Sequence, residues 1–146
     1  MAFRAKQTFI NLPVKDLKAS VAFFSAIGFE FDPNYTDENA TSMIIGENQY
    51  AMLLVEPFFQ SFIKKELADA SRTAEVIVAI AVDSREEVDE TVTKALEAGA
   101  QTTMDPADHG FMYSRSFQDI DGHLWEVFHM DPTAVPQDQQ GAATGQ

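Results

Sequence analysis

Cysteine is absent from this chain of 146 residues. That removes disulfides, thiolate metal sites and thiol nucleophiles together, and leaves no mark of an oxidising compartment. A cytoplasmic protein is the default expectation. Positive charge is scarce: 10 Lys and Arg stand against 23 Asp and Glu, a formal net charge of −13. With no basic stripe to neutralise phosphates, nucleic acid is excluded as a partner, and an anionic membrane surface is disfavoured for the same reason. The acidity itself reads most simply as solubility. No apolar run approaches the ~20 residues of a membrane span. The basic start, Met1 to Thr8, is not followed by a signal-peptide core.

What the chain does have is apolar mass. Hydrophobic residues make up 45%, with 12 Phe, enough for one well-packed domain. Residues Gln7 to Val14 alternate as a strand, with Phe9 and Asn11 on one face and Ile10 and Leu12 on the other. Asp16 sits at an N-cap position before Leu17, Val21, Phe24 and Ile27 at helical spacing, and Gly28 stops the helix. Extended pieces follow at Phe29 to Phe31, Thr41 to Ile45 and Tyr50 to Val55, the last two around a turn at Gly46, Glu47 and Asn48.

Pro57 to Thr73 breaks this rhythm; Phe58, Phe59, Phe62, Ile63 and Leu67 suggest a short helix or an apolar-sided excursion. Then the order returns. Glu75 to Val82 reads as a strand, Ser84 with Glu87 as a capping box, and Val88, Val92, Ala95 and Leu96 as a buried helical stripe ended by Gly99. Strands are expected near Gln101 to Met104, Phe111 to Gln118 and Leu124 to Met130. Residues 133–146 lack periodicity and are expected to be a disordered tail. The β-α-β-β-β order thus occurs twice, as a repeat of pattern rather than of residues.

Two stretches carry a resemblance. Leu12-Pro13-Val14-Lys15-Asp16-Leu17, running into Phe23-Phe24 and Gly28-Phe29, resembles the first strand and helix of the vicinal oxygen chelate superfamily, which includes glyoxalase I, bleomycin-resistance proteins and extradiol dioxygenases. Asp119-Ile120-Asp121-Gly122-His123-Leu124-Trp125-Glu126 resembles that family's D-P-D-G-x-x-x-E turn and last strand, with Ile120 in place of Pro. The resemblance implies an α+β fold in which two βαβββ modules form curved mixed sheets around a central cavity. It divides a single domain over residues 1–132 into a module over about 5–57, a linker over about 58–73 and a module over about 74–131. It also implies a homodimer.

In catalytic members of the superfamily, His, Gln or Glu side chains from four strands hold a divalent metal that polarises the substrate. Carried over, those positions fall on Phe9, on Leu54 (or Glu56, a register step away), on Ile77 (with Glu75 nearby) and on Glu126. Phe, Leu and Ile cannot coordinate a metal, and no His falls at a matched position, which argues against a two-His-one-carboxylate iron site. The cofactor expectation is therefore either none or a divalent metal held by Glu126 and Glu56.

Other residues widen the candidate set. Alternation puts Leu124, Glu126 and Phe128 on one face and Trp125 and Val127 on the other. If the Trp125 face packs under a helix, Glu126 points into the cavity and needs a cation, a donor or a proton; Arg115 on the neighbouring strand is the candidate structural partner. His123 and His129 are odd-numbered and fall opposite Glu126 by parity. His109 lies in a turn-rich loop before the strand bearing Tyr113 and Arg115, and is a candidate base or anion contact alongside Glu126.

Three readings stay open. The leading one is a small-molecule binder in which Phe9, Asn11, Leu54, Ile77, Tyr113, Arg115 and Glu126 contact the ligand. The others are a metal-dependent glyoxalase-type lyase or isomerase, and a dimeric protein that sequesters a toxin or antibiotic.

Overall fold

The computed structural model describes residues 2–133, so the tail expected beyond them lies outside the described residues. The chain divides after Thr73 into two compact units.

The first unit runs β1 (Thr8–Val14), α1 (Leu17–Ile27), β2 (Glu30–Asp32), β3 (Ala40–Gly46), β4 (Gln49–Val55) and α2 (Glu56–Gln60). Its sheet has the order β1-β4-β3-β2, with β1 parallel to β4 and the other pairs antiparallel. α1 starts where Asp16 Oδ1 accepts the Ala19 N–H at 3.1 Å, filling one of the helix's orphan donors. It stops at Gly28, whose φ of 122° only glycine adopts cheaply. Between β3 and β4, Asn48 takes a positive φ of 63°, as a tight hairpin turn requires. Leu12, Val14, Met43, Ala51 and Leu53 share one face of the sheet and are all buried, matching the buried Phe23, Phe24 and Ile27 of α1. The excursion expected after Pro57 opens as α2, a short helix with Pro57 in its first turn.

The second unit runs β5 (Ile77–Ala81), α3 (Arg85–Glu97), β6 (Gln101–Thr102), β7 (Ala107–Asp108), β8 (Met112–Gln118) and β9 (Leu124–Met130). Its five strands are ordered β5-β9-β8-β6, with β7 also pairing on β8. β5 and β9 are parallel. At the start of α3, Ser84 Oγ accepts the Glu87 N–H at 3.0 Å, while Glu87 Oε1 takes the Asp83 N–H at 2.9 Å. The box therefore reaches back one residue further than Ser84 itself. β7 has only two residues, too short to leave a periodicity in the sequence.

The core of this unit is the face of β8 and β9 that α3 covers. Trp125, Val127 and Phe117 are at most 1% exposed and meet Val88, Val92 and Ala95 of the helix. Burying each large side chain contributes roughly 1.5–3 kcal/mol. No helix among the described residues is long and apolar enough to cross a membrane.

Candidate functional site

The β-ladder of the second unit assigns every candidate there to a face. Ser116 pairs with Glu126, Arg115 with Val127 and Tyr113 with His129, while Ile77 and Ala79 of β5 stand across from Leu124 and Glu126. Because paired residues share a face, Trp125, Val127, Arg115, Phe117 and Tyr113 lie on the helix side. Glu126, Leu124, Phe128, Ile77 and Ser116 lie on the face that α3 leaves open. Glu126 is half-buried there between half-buried Leu124 and Phe128, and Ile77 is 58% exposed. The Ser116 hydroxyl is engaged by Thr103 at 2.6 Å. Among the described residues Glu126 has no hydrogen-bond or ion-pair partner.

The expected pairing of Glu126 with Arg115 does not occur. Arg115 Nη1 donates to Asp89 Oδ1 of α3 at 3.1 Å, and Tyr113 Oη donates to the same oxygen at 2.7 Å. That bond to Asp89 also raises the Tyr113 phenol above its ordinary pKa. Arg85 continues the network, gripping Asp108 with two bonds of 2.8 Å and donating to the Gly110 carbonyl at 3.1 Å. Its guanidinium lies 5.1 Å from the Tyr113 ring centre. Asp108 is held well below the usual carboxylate range by this grip. Tyr113 and Arg115 thus tie β8 to α3, on the opposite side of the sheet from Glu126, and Arg85 ties β7 to the same helix. Asp89 went unnoticed in the sequence because it sits on the polar side of a helix with no local sign of its partners.

The histidines also separate from Glu126. His129 Nδ1 lies 3.0 Å from the Val82 carbonyl, which favours the tautomer with hydrogen on that nitrogen. His129 lines an open cleft of about 290 Å³ with Asp83, Glu86, Phe111 and Asp131. His109 is exposed, its backbone N–H bonded to the Met112 carbonyl and its ring 6.4 Å from that of Phe111. His123 lies in the turn before β9, where its backbone N–H donates to Asp119 Oδ1. That turn explains the D-x-D-G motif. Asp119, 4% exposed, accepts from Asp121 N, His123 N and the Trp125 indole at 2.9, 3.0 and 3.0 Å. Burial nevertheless pushes its carboxyl above the ordinary value.

In the first unit, Phe9, Asn11, Tyr50, Met52, Leu54, Ser42 and Ile44 share the face opposite the α1-covered one. Phe9 is 43% exposed and stacks on Tyr50, with ring centres 4.9 Å apart and planes 13° from parallel. Asn11 is exposed and Leu54 buried. Ser42, absent from the sequence-based candidates, is 1% exposed, and its hydroxyl has no partner. Glu56 does not extend β4 as a ligand; it is the first residue of α2. Glu75 precedes β5 and is exposed.

A divalent metal does not fit these residues. Phe9, Leu54 and Ile77 carry no donor atom, which leaves Glu126 alone among the four positions. No cluster of three or more His, Asp or Glu able to hold a metal occurs among the described residues.

Solved structures share this architecture. A hypothetical protein from S. aureus is 29% identical, with a TM-score of 0.73 over 87% of this chain and 95% of its own. A glyoxalase/bleomycin resistance protein/dioxygenase family enzyme from Burkholderia phytofirmans PsJN is 16% identical, with a TM-score of 0.71 over 86% and 99%. A genomically encoded fosfomycin resistance protein from Listeria monocytogenes, solved with Mn(II) and sulfate ion, is 23% identical, with a TM-score of 0.65 over 88% and 92%. Comparison with curated proteins gives no match. The model of one family matches residues 6–127, and the chain belongs to it: the Glyoxalase/Bleomycin resistance protein/Dioxygenase superfamily.

Proposed function

We propose that this protein binds a small organic molecule on the helix-free face of its second sheet, at Glu126, without the metal that the manganese-bearing relative holds. The observation that carries this reading is Glu126, a half-buried carboxylate among Leu124, Phe128 and Ile77 with no partner among the described residues. Such a group is costly unless a donor or cation reaches it, and an organic ligand supplies either on an apolar body. The apolar Ile77, 58% exposed, supports the same reading, since it offers greasy surface where the superfamily places a donor. Tyr113 and Arg115 drop out of the ligand set because Asp89 holds them on the helix side.

The test is a thermal-shift and calorimetry screen of uncharged and amine-bearing organic molecules against wild type and Glu126→Gln. Hits bound by wild type and weakened about tenfold or more by the substitution support the reading. A screen without saturable hits defeats it. Elemental analysis of the purified protein decides the metal clause: stoichiometric Zn, Ni or Mn that is lost on Glu126→Ala overturns it.

A further inference from the structure

The cleft at the start of α3 lies on the helix side of the second sheet, away from Glu126: His129, which lines it, stands across the ladder from Tyr113. Its volume is about 290 Å³, at the small end of the ~300–1,000 Å³ that ligand pockets span. Charge selects what fits. Asp83, Glu86 and Asp131 line the cleft, and the side chains of Asp83 and Glu86 have no hydrogen-bond or ion-pair partner among the described residues. Arg85 lines it too, but its guanidinium is spent on Asp108, with two bonds of 2.8 Å, and on the Gly110 carbonyl at 3.1 Å. An anion is therefore repelled, even though a helix begins here. A metal ion does not fit either, because no three His, Asp or Glu converge among the described residues.

Carboxylates alone would attract any cation; His129 adds a direction. Its Nδ1 lies 3.0 Å from the Val82 carbonyl, an oxygen that can only accept. Nδ1 therefore carries the proton of the neutral ring, and Nε2 is left as an acceptor. No partner for Nε2 occurs among the described residues. Half-buried Phe111 supplies a wall on which a carbon chain packs, or over which a cation sits favourably. An acceptor, uncompensated carboxylates and an aromatic wall together suit an organic cation that carries N–H bonds.

We propose that this cleft binds a small primary ammonium ion, whose N–H donates to His129 Nε2, whose charge faces Asp83 and Glu86, and whose carbon chain lies along Phe111. The site is separate from the one proposed at Glu126. The two occupy opposite faces of the sheet, and either can fail without the other.

The experiment titrates the isotope-labelled full chain with butylamine and with its N,N,N-trimethyl analogue, which keeps the charge but has no N–H. Amide shifts are followed by NMR at about 0.15 M salt, where exposed charges are screened. Wild type is expected to bind butylamine saturably, with shifts at Ser84, Glu86, Phe111 and His129, and to bind the analogue about fivefold or more weakly. Glu86→Gln, at an exposed position with no bond to lose, is expected to weaken butylamine about threefold or more. His129→Phe is expected to weaken it about fivefold or more. Should that variant fail to fold once the Val82 carbonyl loses its donor, Glu86→Gln decides the matter. Equal binding of the two probes overturns the proposal, since it shows attraction to the acidic surface alone. So does a lack of saturable shifts in wild type, or unweakened binding by Glu86→Gln. Shifts confined to Leu124 and Glu126 also overturn it, while leaving the Glu126 site standing.

Discussion

Arg115 and Glu126 lie on opposite faces of one β-ladder, Arg115 across from Val127 and Glu126 across from Ser116. The only cation on the neighbouring strand therefore serves Asp89 of α3, 3.1 Å away, and leaves Glu126 unneutralised. A single register explains both the anchoring of the helix and the open carboxylate.

That separation predicts energetic independence. In a double-mutant cycle by urea denaturation, Arg115→Ala and Glu126→Gln should be additive within a few tenths of a kcal/mol. Arg115→Ala with Asp89→Ala should show a coupling of about 0.5 kcal/mol, small because the Asp89 side chain is 52% exposed. A larger coupling for the first pair than for the second would contradict the assigned faces.

Asp119 should be a stability hot spot with an unusual pH signature. Asp119→Ala removes three hydrogen bonds, one of them from the buried Trp125 indole, so it should cost about 2–4 kcal/mol in chemical denaturation. Because burial raises the folded-state carboxyl, protonation of Asp119 favours the fold. That contribution is present below the ordinary value of about 3.9 and is lost as pH rises through the higher folded-state value. The stability advantage of wild type over Asp119→Asn should therefore shrink as pH rises from about 4. An advantage that grows over this range would reverse the sign.

Asp108 should behave oppositely. Arg85 depresses its folded-state carboxyl, so its contribution is present above about 3.9 and is lost as pH falls through the lower folded-state value. Denaturation of wild type and Asp108→Asn should differ at neutral pH and converge in acid. Equal stability at pH 7 would show the pair to be inert.

Gly28 isolates backbone strain. A Cβ there meets nothing within 4 Å, yet φ is +122°. Gly28→Ala should cost roughly 1–2 kcal/mol, all of it conformational, with no change in packing. A neutral substitution would mean that the helix ends differently in solution.

Elements whose signals are local were legible. Asp16, Ser84, Glu87, Gly28 and the strand alternation around Glu126 act within a few residues of themselves, so β1, α1, α3 and β9 fell within about two residues of their expected ends. β7 and the fate of Glu56 were not legible. The first is too short to show a period, and the second turns on where β4 gives way to α2.

The sequence by itself determined the βαβββ order of the first unit, the caps and the Asp119 turn, because residue type and short-range spacing decide those matters. Only the tertiary structure decided that Tyr113 and Arg115 turn to α3 while Glu126 does not, and that Ser42 is buried unpartnered. Parity orders side chains within one strand, but the relation between strands depends on register, and a one-residue slip exchanges every face.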